Sequence, residues 1–294
     1  MRSGMVSIVG RPNVGKSSLI NALVGRKVSI VSHKPQTTRH QIQGVVNRPG
    51  AQIVFVDTPG LHRKISRQLN KLMNDQAVAS LRDIDLVVFV IETGRFTDED
   101  AAVLERLKAG GAPVGLVINK VDRVADKEKL FPELQQRAAL HDFAFVVPLS
   151  ALKGANVKSL VEEIVARLPE GPQLYPEDQL VGYDDAFLVA ELVREKLTRA
   201  LHQELPYSLT VSVESYEHED GLDRVDAVIW VERDGQKKIV IGEQGAALKQ
   251  VGTSARRELE KILGRKVFLK LWCRVRENWS DDLRALKQFG LKPE

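Results

Sequence analysis

The sequence predicts an α/β domain with a doubly wound, mostly parallel sheet, followed by a smaller α+β domain. In the first half, short runs of Val, Ile and Leu alternate with segments of helical period, as parallel strands joined by crossover helices do. The octapeptide Gly10-Arg11-Pro12-Asn13-Val14-Gly15-Lys16-Ser17 stands between the first such strand and the first such helix. Pro169 to Pro176, with three prolines in eight residues, then interrupts the pattern. Beyond it the strands alternate apolar and polar residues, the mark of a sheet covered on one face. These features predict a first domain over 1–170, a linker over 171–185 and a second domain over 186–294.

The elements follow in order. Met5 to Val9 reads as a strand, and Ser18 to Val24 as a helix with Leu19, Ile20 and Leu23 directed inward. Val28 to Arg39 has no hydrophobic period and contains Pro35, which predicts a polar loop. Gln41 to Asn47 and Gln52 to Val56 read as strands joined by a turn at Pro49-Gly50. A helical period over Ser66 to Leu81 precedes a buried strand, Leu86 to Ile91. Asp98 to Lys108 reads as a helix closed by Gly110-Gly111. Strands over Val114 to Ile118 and Phe143 to Leu149 and a helix over Asn156 to Leu168 complete the half. The second half opens with a helix over Ala186 to Leu205, its Leu188, Leu192, Val193 and Leu197 on one side. Strands over Ser208 to Ser215 and Val225 to Val231 are expected to be joined by the acidic loop Glu217 to Asp220. After Gly242 to Gly245 come two helical stretches, a strand over Val267 to Val275, and a closing helix over Ser280 to Phe289 with Ser280 as its cap.

Composition narrows the class. The chain has 294 residues, enough for two domains; 43% are hydrophobic and only 5% aromatic, which suits an aliphatic α/β core. Its longest purely apolar run, Leu86 to Ile91, is far shorter than the roughly 20 residues that span a bilayer. No apolar leader with a cleavage site is seen, so export is not expected. A single cysteine, Cys273, excludes an internal disulfide framework, fits a cytoplasmic location, and beside Trp272 reads as a packed thiol without a catalytic role. A net charge of +4 permits nucleic-acid binding without requiring it.

The octapeptide fits G-x-x-x-x-G-K-[ST]. A strand that turns sharply into a helix aims backbone N–H groups at one point, where the helix dipole adds about half a positive charge. Gly10 and Gly15 admit a phosphate to the backbone, and Arg11, Pro12, Asn13, Val14 and Ser18 complete the loop. Lys16 reaches the β and γ phosphates, and the Ser17 hydroxyl ligates magnesium. Asp57 ends an apolar strand, where α/β sheets place ligand contacts, and is suited to holding magnesium, usually through water. Gly60 can bring its N–H to a γ-phosphate, and Thr37 or Thr38 can supply a hydroxyl to the metal.

That loop accepts ATP and GTP alike. Asn119-Lys120-Val121-Asp122 at the end of a later strand selects guanine. One carboxylate, Asp122, can accept both N1–H and N2–H₂ of guanine, whereas adenine would leave it desolvated and unpaired. Asn119 can contact the base edge, the Lys120 stem can lie across its face, and Ser150-Ala151-Leu152 can offer a backbone N–H to O6.

The stretches GRPNVGKS, PQTTR, DTPG, NKVD and SAL resemble, in order, the five nucleotide motifs of the translation-factor-related GTPases of the TrmE-Era-EngA-like superfamily. The resemblance implies a GTP/GDP-binding GTPase with Mg²⁺. Lys16 and Ser17 become its phosphate and magnesium groups, and Thr38, with Thr37 as the alternative, its switch-loop magnesium ligand. Asp57 and Gly60 become the magnesium and γ-phosphate sensor, and Asn119, Lys120 and Asp122 the guanine site. Leu61 stands where Ras-like relatives carry the glutamine that positions water. Hydrolysis is therefore expected to be slow, with no side chain acting as base and with Lys16, Thr38 and Asn13 supporting the transition state. Asn13 matches the asparagine with which relatives hold K⁺, a partial replacement for an arginine finger.

Ile241-Gly242-Glu243-Gln244-Gly245 between helices is the KH signature, whose GxxG loop clamps about four nucleotides of single-stranded RNA. Charge is segregated around it. Glu204 to Asp234 holds nine acids and two bases, whereas Gly235 to Arg276 holds eleven bases and three acids. Lys237, Lys238, Lys249, Arg256 and Arg257 join the loop as candidate RNA contacts, and binding is expected to be salt-dependent. A GTPase of this loop type with one C-terminal KH domain resembles the Era family of ribosome-assembly GTPases across essentially the whole chain. That resemblance implies a P-loop GTPase domain followed by a type II KH domain, and binding to the 3′ end of 16S rRNA during maturation of the small ribosomal subunit. It implies no DNA partner, and peripheral inner-membrane association beside the cytoplasm, for which no amphipathic or lipidation signal stands in the sequence. The competing readings are a GTPase acting on large-subunit rRNA and a signalling or membrane-trafficking GTPase whose second domain binds protein.

Overall fold

The computed structural model describes residues 1–31, 42–57, 68–79, 84–124, 128, 130–177, 179, 181–201 and 205–290. The chain divides into two compact units, the break after the proline-rich stretch lying between Gly182 and Tyr183.

The first part of the chain runs β1 (Arg2–Val9), α1 (Lys16–Val24), β2 (Ile42–Arg48), β3 (Ala51–Asp57), α2 (Gln68–Ala79), β4 (Leu86–Glu92) and α3 (Asp98–Lys108). It continues through β5 (Val114–Asn119), α4 (Leu130–Ala138), β6 (Phe145–Pro148) and α5 (Val157–Val165). The six-stranded sheet has the order β2-β3-β1-β4-β5-β6, parallel except for the edge hairpin of β2 and β3. Strands β4 and β5 are buried almost end to end because helices cover both faces, which is why they read as unbroken apolar runs. Val87, Phe89 and Ile91 pack with Val103, Leu104 and Leu107 of α3, while α1 packs on β3 and α5. Register aligns the strand ends: Ile8 pairs with Asp57, Glu92 with Asn119, and Ile118 with Pro148. The loops after these strands therefore leave the sheet along one edge.

Several boundaries differ from the sequence reading. Helix α4 is not expected from the sequence; it has no fully buried residue and packs on the core through a half-buried face that includes Leu134. Its Glu133 nevertheless accepts from Thr93 Oγ1 at 2.9 Å and from Gly94 N at 2.7 Å, bracing the loop after β4. Helix α3 stops with Ala109 as its cap, and neither Gly110 nor Gly111 adopts a positive φ. The proline-rich stretch is tied down: the buried Gln52 side chain accepts from Leu174 N and Tyr175 N and donates to Tyr175 O at 2.8 Å.

The second part runs α6 (Asp185–Ala200), β7 (Leu209–Glu219), β8 (Leu222–Val231), α7 (Asp234–Ile241), α8 (Ala246–Leu263), β9 (Lys266–Val275) and α9 (Leu283–Gln288). The three strands order β7-β8-β9, antiparallel then parallel. Leu188, Leu192 and Leu197 of α6, Val251 and Leu259 of α8, and the inward residues of the sheet form one core. Three expectations are corrected. The acidic segment 217–219 is strand, not loop, because Asp220 (φ 49°) and Gly221 (φ 74°) close a two-residue hairpin turn that needs positive φ at both positions. One helix, α8, fills the span assigned to two. The closing helix starts at Leu283 with Asp282 accepting from Arg284 N at 2.9 Å, whereas Ser280 is buried and donates to Glu232 at 2.5 Å.

Beside the hairpin, Asp223 is fully buried and accepts from Tyr216 OH (2.8 Å) and Arg265 Nε (2.6 Å), with His218 Nδ1 at 2.6 Å. Burial raises its pKa, but the bonds from His218, Tyr216 and Arg265 outweigh it and hold the carboxyl below its usual range. Burial foremost, with Asp223 and Asp185 adding, pushes the Tyr216 hydroxyl up to about 12 against the Arg265 hydrogen bond. Removing a buried partner strands the others, so Asp223→Ala should cost about 3 kcal/mol in denaturant unfolding. A carboxyl depressed in the folded state stabilises fully above its unfolded pKa of about 3.9, so the gap between wild type and Asp223→Asn should close as pH falls below that value. A gap that is constant with pH would show that the carboxylate charge does not matter.

Candidate functional site

At the sheet edge where the strand ends align, the buried carboxamide of Asn119 joins three loops. Its Nδ2 donates to Val14 O at 2.8 Å, and its Oδ1 accepts from Lys120 N at 2.7 Å and Ala151 N at 3.0 Å. The phosphate loop can come this close because Gly15 has no side chain: a Cβ there would lie 2.3 Å from Asn119 Nδ2, at a φ of 102°. Asn119 thus holds the loops through its Oδ1 and one Nδ2 hydrogen, while the second Nδ2 hydrogen makes no bond among the described residues and is compatible with the predicted base contact. Ala151 is likewise engaged and Ser150 N donates to Ala155 O, which leaves Leu152 as the one backbone N–H of this triplet without a partner among the described residues.

The other predicted residues gather here. Lys16 is buried, and its Nζ donates to Gly10 O (2.8 Å) and Arg11 O (2.9 Å), spanning the inside of the loop. Ser17 and Ser18 lie in the first turn of α1, behind Gly15, and Pro12 and Asn13 form the outer bend, Asn13 at φ 65°. Arg11 turns its guanidinium away, to Asp100 at 2.9 Å and Glu92 at 3.2 Å, so only its backbone can face a phosphate. Asp122 is exposed, and its Oδ1 accepts from Ser150 Oγ at 2.5 Å. Thr37, Thr38, Gly60 and Leu61 lie outside the described residues, and of Asp57 only the strand-end backbone is described.

Glu92 escaped the sequence reading. It ion-pairs with Lys120 at 2.8 Å, Arg11 at 3.2 Å and Arg123 at 3.1 Å, while Lys120 Nζ also donates to Asn13 O at 2.7 Å. Burial raises the Glu92 pKa, but Lys120 and then Arg11 outweigh it and hold the group ionised below its usual range. The signal was present: an acid ending a buried strand, as Asp57 does, in register with Asn119. The Lys120 stem is thereby held between the phosphate loop and the predicted base site.

In the second unit, Gly242 to Gly245 turns between α7 and α8. Gly242 (φ 73°) is structural, since a Cβ would meet Ala247 Cβ at 2.6 Å; Gly245 (φ 80°) faces open space. Glu243 and Gln244 are exposed, and Ile241 is partly buried against the core. Gly252 lets Leu271 of β9 approach α8. Lys249 and Arg256, three before and four after Gly252, lie on the same side of α8 at helical spacing. Lys238, Lys249, Arg256 and Arg257 are exposed and make no ion pair among the described residues, whereas Lys237 sits half-buried beside Cys273. Burial pushes the Cys273 thiol up to about 11, in keeping with an inert role.

Residues 5–120 match the family model described as a 50S ribosome-binding GTPase, and residues 204–280 match the KH domain. GTPase Era of Xanthomonas axonopodis pv. citri is 52% identical over 289 residues, covering 98% of this chain and 97% of that protein. The chain belongs to the GTPase Era family. GTPase Era of Stenotrophomonas maltophilia is 50% identical over 98% of this chain and 96% of its own. Two solved structures superpose with a TM-score of 0.94 at 39% identity, covering 99% of this chain and at least 99% of each. One is a single-residue variant of Aquifex aeolicus Era bound to GDP·AlF₄⁻, and the other is Era in complex with MgGDPNP and nucleotides 1506–1542 of 16S ribosomal RNA. Membership makes this chain a GTPase, converting GTP to GDP and phosphate, with a P-loop GTPase domain followed by a KH domain.

If Asp122 reads guanine, Asp122→Asn exchanges an acceptor for a donor and favours xanthine, which carries a carbonyl where guanine has its amino group. GTP affinity should fall about hundredfold and xanthosine triphosphate should compete better, read by displacement of a fluorescent nucleotide. Unchanged preference for GTP would place the base elsewhere.

Proposed function

We propose that this chain is a GTP-operated switch that binds the 3′ end of 16S rRNA and assists maturation of the small ribosomal subunit. The observation that carries the reading is one chain holding both a loop assembly for a guanine nucleotide and an open GxxG turn flanked by unpaired cations. The full-length likeness to the Era structure with 16S nucleotides supports the choice of RNA. The 50S wording describes a model that matches residues 5–120 and stops short of the GxxG turn, so it lends little to the large-subunit alternative. The division proposed is a GTP-binding domain over 1–170, a linker over 171–185 and a KH domain over 186–294.

Gly10 to Ser18 and Lys16 hold the phosphates, and Asp122 with the Leu152 N–H holds guanine. Lys120, fixed by Glu92 and Asn13 O, lies along the base. Magnesium, present with GDPNP in the Era–RNA structure, would be held by the Ser17 hydroxyl, Thr38, Asp57, phosphate and water. Bound magnesium would neutralise charge developing between the β and γ phosphates. No side chain serves as a base, Leu61 cannot orient water, and the intrinsic rate is low. By the family resemblance, Asn13 would hold a potassium ion. Turnover should then be several-fold higher in potassium than in sodium chloride, and equal rates would remove that site. Among the described residues no helix is long and apolar enough to cross a membrane. A cytoplasmic location with peripheral membrane contact is proposed from the family resemblance.

Gly245→Asp tests the RNA half. Open space and a left-handed backbone that Asp tolerates leave the fold intact, while the new charge repels phosphate. Affinity for single-stranded 16S 3′-end RNA should fall at least about tenfold with GDP affinity unchanged, and wild-type binding should weaken steeply with salt. RNA affinity indifferent to both would overturn the reading.

A further inference from the structure

The outer face of the second sheet carries a surface that the GxxG clamp does not use. Strand β9 is an edge strand whose Val267, Leu269, Leu271, Cys273 and Val275 turn to the core. Its alternate residues Lys266, Phe268, Lys270, Trp272 and Arg274 are exposed on the opposite face, away from α7 and α8. Phe268 is 45% and Trp272 53% exposed, unusual for aromatic side chains of a short sheet. Register sets Arg224 of β8 beside Phe268, with its guanidinium 5.9 Å from the ring centroid and Lys270 Nζ at 5.5 Å. The far end of the face is closed beyond Trp272, since Trp230, the neighbour of Arg274, stacks on Phe289 of the C-terminal segment at 5.4 Å; Val228, the β8 neighbour of Trp272, is buried while Trp272 itself stays exposed. What stays open is the stretch around Phe268 and Trp272.

We propose that this open stretch of β9 is a second contact for single-stranded RNA, with bases stacked on Phe268 and Trp272 and phosphates held by Lys266, Lys270 and Arg224. It rests on the reading that the KH domain binds RNA. Charge complementarity selects the occupant. Residues 265–276 contain no acid. The acids of this face lie on the inner and far strands: Asp226 beside Lys270, Glu217 opposite Arg224, Glu219 opposite Leu222, and Glu214 paired with Arg274 at 2.6 Å in an exposed contact worth little. A protein partner's interface core would be poor in lysine, whereas rings interleaved with cations are how single strands are held without sequence preference. The two rings, four residues apart on a strand, stand roughly 13 Å from each other, room for the two or three bases that a sheet platform stacks.

The test uses the full-length chain with two fluorescein-labelled unstructured RNAs, one of six nucleotides that the clamp alone can fill and one of twenty. Phe268→Ala with Trp272→Ala should bind the short RNA as wild type does and the long RNA at least about tenfold more weakly, and Phe268→Tyr with Trp272→Tyr should restore most of that loss. Both side chains are exposed, so the melting temperature should hold. Wild-type affinity of the alanine variant for the long RNA overturns the proposal, and so does a variant that keeps both RNAs but loses binding to a purified ribosomal protein. Gly245→Asp, run in parallel, should weaken both RNAs. If it weakens neither, the clamp reading fails and this proposal with it.

Discussion

One buried carboxamide sets the geometry of the nucleotide site. Asn119 bonds the phosphate loop at Val14 O, the start of its own turn at Lys120 N, and the loop after β6 at Ala151 N. Three segments far apart in sequence are thereby held at fixed separation. All three contacts are buried or partly buried, and an unmade bond there would strand a polar group at about 1–3 kcal/mol each. Gly15 is required by the same contact, because any side chain would occupy the position of the amide nitrogen. The sheet supplies the rest: parallel register brings the ends of β1, β3, β4 and β5 to one edge, so the loops that follow them start from neighbouring points.

Charge in this site is arranged to orient and not to neutralise at random. Glu92 gathers Lys120, Arg11 and Arg123, and Asp100 completes the hold on Arg11. The guanidinium of Arg11 is thus committed to carboxylates, while Lys16 Nζ lies inside the loop on Gly10 O and Arg11 O. In the second unit the opposite holds. Arg265 is committed to Asp223 and Asp185, while the cations around the GxxG turn have no acidic partner among the described residues. Structural cations are paired and candidate RNA contacts are not.

Much of the fold was legible because local pattern and tertiary need agree. Buried parallel strands read as apolar runs, and the motif residues sit where those runs end. Helix α4 escaped the sequence reading although Leu130, Leu134 and Ala138 recur at helical spacing, because the stripe is short and only partly buried. The β7–β8 hairpin was misplaced because acidic residues suggested a loop, although Asp220-Gly221 held the turn chemistry. At the site, residue types named the loops, while the contacts among them were not legible. Asn119 braces three segments as well as being a candidate base contact, Arg11 turns its guanidinium to carboxylates, and Glu92 was hidden because an acid after an apolar run acquires meaning only through its neighbours.

The bracing role of Asn119 is tested most directly by amide hydrogen exchange in Asn119→Ala, with the native protein as reference. Loss of the carboxamide should speed exchange at both Lys120 N–H and Ala151 N–H by about one to two orders of magnitude, while Leu116 and Val117 within β5 keep their protection. Unchanged exchange at Lys120 and Ala151 would contradict the account, because the loops would then hold their positions without the amide.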